Sequence, residues 1–346
     1  MSIQSNQATR TLTSHIQPTL VQQAMAMIEP AQYIALLAHE HPDGDCLGSA
    51  LGLSHILRQL GKTCVPICAD PAPNVFSFLP GLDALQHTLG EVGHEPFDLV
   101  IALDAGELSR FGPIYERHKT FLDHAPILNL DHHISSEGCG LVNIIDPDSA
   151  ATGELLVLFQ QQAGLPLTTD AALCLLTGII TDTSSFQYSS TTARTLEAAA
   201  VLLSAGAIPE KIARPLFRTR PLAEVRLRSL ILTRAQTSCN NRLIWSYVTE
   251  EDLAATGATS DMDDNLSGAM RDIDGISIAA FFKNYGEPGI TRLSLRCADP
   301  YNAAEICLRL GGGGHARAAG ATIHLPIHEA IPIVVAELQK ELQTTL

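Results

Sequence analysis

The chain alternates short apolar runs with longer stretches of helical spacing. Tyr33-Ile34-Ala35-Leu36-Leu37-Ala38 is short enough for a buried strand, and Leu47 to Leu60 then carries apolar residues at helical period and stops at Gly61. Thr63 to Ala69 is a second strand-like run. A Pro-rich loop with Pro71, Pro73 and Pro80 leads to Phe97–Leu103, an apolar run that ends in Asp104. Ile127-Leu128-Asn129-Leu130 ends in Asp131-His132-His133, and Leu141 to Ile145 is a further short strand. Helical patterns cover residues 18–30, Ala150 to Ala163, Thr169 to Thr181 and Thr191 to Ala205. Strands alternating with helices predict an α/β fold on a mostly parallel sheet.

The pattern changes near residue 206. Gly206-Ala207-Ile208-Pro209 breaks the helix, and Lys211 to Arg234 reads as a helical connector with seven Lys and Arg against the single acid Glu224. A solvated charged face explains that basic run as well as a substrate contact does. Beyond it, strands at Leu243–Val248, Ile276–Lys283 and Thr291–Cys297 alternate with helices at Asn302–Leu310 and from His328 on, with a glycine-rich turn and one more strand between those helices. The expected organisation is residues 1–206, a helical linker 207–234, and a smaller α/β domain 235–346. A length of 346 residues suits two domains.

Charge sharpens this division. The net charge of −15 resides almost wholly in residues 1–206, where 7 Lys and Arg face 21 Asp and Glu; residues 207–346 hold 15 against 16. A protein that grips long duplexes usually shows a basic stripe and a high pI, whereas this chain has pI near 5.2. An anionic substrate would therefore be met by bound cations and a few placed arginines, which favours small or short phosphate compounds. No apolar run reaches membrane-spanning length, and Met1 to Gln17 lacks the apolar core of a signal peptide. The eight cysteines show no zinc-ribbon spacing; the closest pair, Cys64 and Cys68, is C-x₃-C, and reduced, mostly buried thiols in a cytoplasmic protein are expected.

The chemistry gathers at strand ends. His39-Glu40-His41-Pro42-Asp43-Gly44-Asp45 joins the first strand to its helix and presents one imidazole and two carboxylates from a tight turn. Taken alone it is also an ordinary polar turn. Asp104 and Asp131-His132-His133 end two further strands, and ligands of open α/β sheets bind at those carboxyl ends. Asp182 follows a fully apolar helical stretch, where a carboxylate is costly to bury without a partner or metal, or else caps a solvent-facing helix end. Together these positions supply at least four carboxylates and two imidazoles, enough for two divalent ions sharing one carboxylate. The oxygen and nitrogen donor set suits Mn²⁺, Mg²⁺ or Zn²⁺, and such pairs clamp both oxygens of an in-line displacement at phosphorus. Gly311 to Gly314 form a second feature, able to bring backbone N–H groups close to an anion, with His315 adding a hydrogen bond or a charge.

In this order, His39-x-x-Pro42-Asp43-Gly44-Asp45-x-x-Gly48-Ser49, Asp104, Asp131-His132-His133 and Asp182 resemble the motifs of the DHH phosphoesterase superfamily. Gly312-Gly313-Gly314-His315 resembles the GGGH motif of the DHHA1 domain. The resemblance spans roughly residues 30–325 and is nearest the RecJ-related nanoRNase and pAp-phosphatase enzymes. It implies one metal held by His39, Asp43 and Asp104, and another by Asp45, Asp104, His132 and Asp182, most often Mn²⁺ in the family, with Mg²⁺ as the alternative. It further implies that Asp131 orients a histidine and that His133 faces the scissile phosphate. Gly312, Gly313, Gly314, His315 and Arg296 would hold the terminal nucleotide across an interdomain cleft, with Arg271 a weaker candidate. Arg110 matches a frequent family arginine and would either meet a phosphate or brace its loop. His41 has no fixed role in the pattern, and His87, His94, His118 and His124 lie in polar stretches expected to face solvent.

The implied activity is hydrolysis of very short oligoribonucleotides to nucleoside 5′-monophosphates, with removal of the 3′-phosphate from 3′-phosphoadenosine 5′-phosphate (pAp). Several branches share these motifs. Phosphodiesterases of cyclic or linear di-AMP and RecJ-type single-strand exonucleases are the alternatives, and a pyrophosphatase would carry a different second domain. A non-catalytic nucleotide sensor would have lost ligands, which are all present here. The expected partners are short RNA, dinucleotides and pAp, without a membrane; a homodimer is compatible with this reading.

Overall fold

The computed structural model describes residues 16–263 and 266–344. The Gln/Ser/Thr-rich stretch up to residue 15 lies outside the described residues. The chain divides into two compact units, Met1–Thr219 and Arg220–Leu346.

In the first unit, α1 (Pro18–Ile28) precedes β1 (Tyr33–Leu37), α2 (Gly44–Arg58) and β2 (Thr63–Ile67). There follow β3 (Leu99–Leu103), the short helices α3 (Pro113–Arg117) and α4 (Lys119–Leu122), β4 (Ile127–Asp131) and β5 (Val142–Ile145). Then come α5 (Thr152–Gln162), α6 (Thr169–Asp182), α7 (Ala193–Ser204) and α8 (Pro209–Ala213). The five strands pair in parallel in the order β2-β1-β3-β4-β5. Because both faces of a parallel sheet are covered, its strands are mostly apolar rather than alternating. Ile34, Leu36, Ile101, Leu128 and Leu130 join the core built with α1, α2, α5 and α6. Ala35, Leu37, Val100 and Ala102 face the smaller layer that includes Ile114 of α3 and Leu122 of α4. The strand order reverses between β1 and β3, which places a ligand crevice at the carboxyl ends of those two strands.

One contact fixes that crevice. Ten consecutive residues of α6, Ala171–Ile180, are buried, so the helix is wrapped by protein on every side. It can lie this close to α2 because glycines stand at the crossing: a Cβ on Gly48 would strike the Cys174 carbonyl, and one on Gly178 would strike Asp45 Oδ1. Asp182, four residues past Gly178 and therefore on the same side of α6, is carried to the same spot.

The second unit contains α9 (Leu222–Thr233), β6 (Gln236–Ser238), β7 (Leu243–Thr249), α10 (Glu250–Thr256), α11 (Leu266–Arg271), β8 (Ile278–Asn284) and β9 (Thr291–Cys297). It ends with α12 (Ala303–Arg309), β10 (Gly313–His315), β11 (Ala318–Ile323) and α13 (Ile327–Thr344). Its sheet runs β10-β11-β9-β8-β7-β6, antiparallel except for the β7–β8 pair. Phe282, Leu293 and Leu295 on one face pack with Ile306 of α12 and Leu338 of α13. Ile244, Val248 and Phe281 on the other pack with Leu227 and Ile231 of α9 and Met270 of α11.

Two expectations need correction. The glycine-rich turn expected over Gly311–Gly314 is a turn only in its first half. Gly311, with φ +77°, and Gly312 donate to Leu308 and Cys307 carbonyls and close the end of α12 as a Schellman cap, while Gly313 and Gly314 already belong to strand β10. His118 does not face solvent: it is buried, with Nδ1 2.7 Å from Glu95 Oε1 and Nε2 3.1 Å from Thr88 Oγ1. It is buried despite its polar sequence neighbours because Glu95 and Thr88 come in from a distant stretch of chain to meet both ring nitrogens. Among the described residues, no helix is long and apolar enough to cross a membrane.

Candidate metal centre

The turn after β1 builds the first part of the site. Asp43 caps α2, accepting the Asp45 and Cys46 N–H groups at 3.0 Å through Oδ1. That leaves Oδ2 free on the side of His39 Nε2, 3.9 Å away. His39 Nδ1 lies 2.7 Å from the Glu40 carbonyl. A carbonyl only accepts, so Nδ1 carries the proton and Nε2 turns into the site.

Asp45 is fully buried and held by the start of α5: Thr152 N–H donates to Oδ2 at 2.6 Å and Gly153 N–H to Oδ1 at 2.8 Å. The amino end of a helix offers unpaired N–H groups and a favourable dipole, so it stabilises the carboxylate there. Asp104 leaves β3 in the left-handed region, φ +58°, a conformation that costs energy and tends to be kept at functional sites. Thr152 Oγ1 donates to its Oδ1 at 2.9 Å. Its two oxygens divide between histidines: Oδ2 is 3.6 Å from His39 Nε2, and Oδ1 is 3.6 Å from His132 Nε2.

His132 completes the group. Its Nδ1–H donates to the Ser149 carbonyl at 3.1 Å, which aims Nε2 at three carboxylates: Asp182 at 3.3 Å, Asp104 at 3.6 Å and Asp45 at 3.9 Å. That Nε2 is buried and has no hydrogen-bond partner. A buried imidazole nitrogen that faces three carboxylates without a hydrogen bond is a poor arrangement in itself and a good one for a divalent cation. Asp131 accepts from His132 N–H, His133 N–H and His133 Nδ1 through Oδ1 alone, the last at 2.7 Å. His133, half exposed, therefore turns Nε2 outward.

The electrostatics agree with this crowding. Burial, reinforced by Asp104 and Asp182, pushes Asp45 well above the carboxylate range. Burial alone would lower His132, but the Asp182 carboxylate 3.3 Å from Nε2 and the charges of Asp45 and Asp104 lift it to about 10. Burial likewise opposes Asp104, yet His39 close beside it and the other surrounding imidazoles hold it low. The Asp131 hydrogen bond raises His133. Without a cation, the pocket offsets its carboxylates with protons; a bound divalent ion would take over that role. The residues fit such an ion.

The structure thus gathers His39, Asp43, Asp45, Asp104, His132, His133 and Asp182. Ligating atoms of three trios, His39–Asp43–Cys46, Asp104–His132–His133 and Asp45–His132–Asp182, each lie within 4.8 Å of one another. Cys46 is an addition that the sequence reading missed; its signal was the spacing of three from Asp43, which puts both on one side of the first turn of α2. Thr152 and Gly153, which hold the buried carboxylates, were also missed, having no signal beyond a helix start. His41 stays outside, exposed, with its N–H 2.7 Å from Asp70 Oδ2. Arg110 is exposed on the turn after β3, where its carbonyl accepts the Glu40 N–H.

In the second unit, Arg296 of β9 and His315 of β10 both pair with Ala318 of β11, so they share a face one strand apart, on the order of 10 Å. Arg296 is half-buried and His315 exposed. Gly313 and Gly314 line the sheet edge. Arg271 pairs with Asp272 at 2.7 Å.

Residues 33–179 match the DHH family, N-terminal domain, and residues 240–344 match the DHHA1 domain. The chain is 33% identical to the bifunctional oligoribonuclease and PAP phosphatase NrnA of Thermus thermophilus, over 93% of this chain and 94% of that protein. It belongs to the DHH–DHHA1 family. Among solved structures, an exopolyphosphatase-related protein of Bacteroides fragilis superposes with TM-score 0.84 at 22% identity, covering 96% of this chain and 99% of that one. The RecJ–Mn²⁺ structure of T. thermophilus gives TM-score 0.53 at 14% identity, covering 97% of this chain and 56% of that one. The DHH–DHHA1 fold is thus shared over nearly the whole length, and the DHH match contains every candidate ligand except Asp182.

Proposed function

We propose that this chain is a dimetal phosphodiesterase that hydrolyses very short oligoribonucleotides to nucleoside 5′-monophosphates and removes the 3′-phosphate of pAp. The observation that carries this reading is the Asp104 carboxylate, whose two oxygens face different histidines, so that it can bridge two ions. His39, Asp43 and Asp104 would hold one ion; Asp45, Asp104, His132 and Asp182 would hold the other. When bound, the ions supply charge neutralisation at phosphorus and a water acidic enough to attack near neutral pH. Mn²⁺ is the expected ion, in keeping with the mixed oxygen and nitrogen donors and with the RecJ relative solved with it.

The chain's own groups do the rest. Asp131 fixes the ring of His133 and favours its protonated form, which leaves a proton at Nε2 for the phosphoryl or leaving oxygen. Arg296, His315 and the outward edge of β10 would recognise the nucleotide end, which limits substrate length. The NrnA relative's substrates support this choice within the family.

The test uses the Mn²⁺-loaded protein with 5′-labelled RNA of about two to twenty-four nucleotides, pAp, linear and cyclic di-AMP, and pyrophosphate. Fastest turnover on the shortest RNAs with mononucleotide products, together with pAp cleavage, is expected. Preference for cyclic di-AMP or long strands would move the protein to another branch, and no turnover with two ions bound would make it a sensor.

A further inference from the structure

Three of the proposed ligands lean on a single loop, residues 146–153. It supplies the Ser149 carbonyl to His132, the Thr152 and Gly153 N–H groups to Asp45, and the Thr152 hydroxyl to Asp104. Backbone bonds such as Asp146 N–H to the Asp131 carbonyl start the loop, and one guanidinium from the first turn of α7 ties its side chains together. Arg194 Nε donates to Glu154 Oε1 at 2.7 Å, and Nη2 reaches Asp146 Oδ2 at 3.0 Å and Ser149 Oγ at 3.1 Å. Asp146 in turn accepts the Ser149 hydroxyl at 2.8 Å, and Glu154 Oε2 accepts the Ala150 N–H at 3.0 Å. The side chains of Arg194, Asp146 and Glu154 are 12%, 10% and 0% exposed. Both carboxylates are therefore shielded from water and share this one cation.

We infer that Arg194 is a positioning residue of the metal centre: its fork locks the 146–153 loop and so sets the aim of His132 and the seat of Asp45. Arginine suits the task because its planar fork binds two acceptors in fixed directions, which an ammonium cannot do. Without it, two buried carboxylates would repel and the loop would move, taking the His132 acceptor with it. Partners of this kind, which hold metal-binding histidines and carboxylates, typically contribute tenfold to a hundredfold to metal affinity. The assignment rests on the dimetal reading above.

The experiment is a stepwise Mn²⁺ titration of metal-free wild type, Arg194→Ala and Arg194→Lys, with free Mn²⁺ followed by electron paramagnetic resonance and the metal-free melting temperature measured alongside. The expected result is about a tenfold to hundredfold loss of affinity for the ion held by Asp45, His132 and Asp182. The His39–Asp43 ion should change less, and Arg194→Lys should lie between wild type and Arg194→Ala. Wild-type affinities with only a lower melting temperature would reduce Arg194 to a structural residue and overturn the inference. If Arg194→Ala does not fold, Arg194→Lys carries the test, since it keeps the charge. A wild type that binds fewer than two Mn²⁺ ions would instead overturn the dimetal reading itself.

Discussion

The metal pocket of the first unit and the glycine edge of the second are built on opposite principles. In the pocket, the oxygen atoms are committed before any ligand arrives: Asp45 is seated on two helix N–H groups, Asp104 is held in a left-handed conformation, and His132 has its outer nitrogen tied to Ser149. At the edge, Gly313, Gly314 and His315 are exposed on a three-residue strand with a neighbour on one side only. On the proposed function, one region is preorganised for chemistry and the other left open for recognition. A rigid site stabilises charge without reorganising, whereas an exposed edge can accept different nucleotide ends. If this contrast is real, disturbing the pocket should abolish every reaction, and disturbing the edge should change only substrate affinity.

Asp104→Asn is the strongest way to break the contrast. Asparagine tolerates the left-handed conformation that Asp104 adopts and matches its shape, so the fold should survive. It cannot carry the charge that two ions would share. Hydrolysis of short RNA and of pAp should fall together by at least about a thousandfold, on the scale of losing a major electrostatic stabiliser, and Mn²⁺ stoichiometry should drop below two. Parallel activity assays and metal analysis check this. Loss of RNA cleavage with pAp cleavage intact would mean two separate sites and would sink the shared-carboxylate assignment.

The pocket was far more legible in sequence than the edge, for a physical reason. Metal-binding chemistry demands particular side chains, and strand ends of a parallel sheet bring them together, so His39, Asp43, Asp45, Asp104, His132 and Asp182 stood out by type and place. The groups that hold them did not stand out, because much of that work is done by the backbone. Thr152 and Gly153 act through N–H groups, Ser149 through a carbonyl, and Gly178 by having no side chain where Asp45 sits. Arg194 was invisible for another reason: its partners Asp146 and Glu154 lie forty or more residues away, and no local pattern ties them to it. At the edge, a run of glycines announced close backbone approach but not its kind. Gly311 and Gly312 serve a helix cap, and Gly314, at φ +142° against Ala319, serves strand pairing.

Acidity offers a second, smaller effect. In the metal-free pocket, His132 holds its proton up to about 10, against an ordinary 6.5. Its raised value means that the protonated ring stabilises the metal-free fold fully below about 6.5, and that this contribution is lost as pH rises through about 10. An ion needs the neutral ring, so binding must expel that proton. Affinity for the ion that His132 would hold should therefore rise by about tenfold per pH unit between pH 7 and 9, the His132 proton leaving as that ion binds. Calorimetry in buffers of different ionisation enthalpy measures the released proton directly. A flat affinity over that range would show that His132 is already neutral and that the pocket is not offset by protons.

His315→Ala should give the smallest change and sharpens the contrast most. The side chain is exposed on an edge strand, so its loss should leave the fold intact. Its partner would be an anionic group of the nucleotide, and a hydrogen bond to a charged group is worth about 1.5 kcal/mol or somewhat more. That corresponds to roughly a tenfold rise in KM for short RNA and pAp. Because the interaction would be made equally with the bound substrate and the transition state, kcat should stay within about twofold. Mn²⁺ stoichiometry and its pH dependence should match the wild type, since no group of the pocket is touched. Steady-state kinetics on both substrates, paired with the Mn²⁺ titration, separates the cases. A fall in kcat with KM unchanged would place His315 in the chemical step, and the division between a committed pocket and an open edge would have to be abandoned.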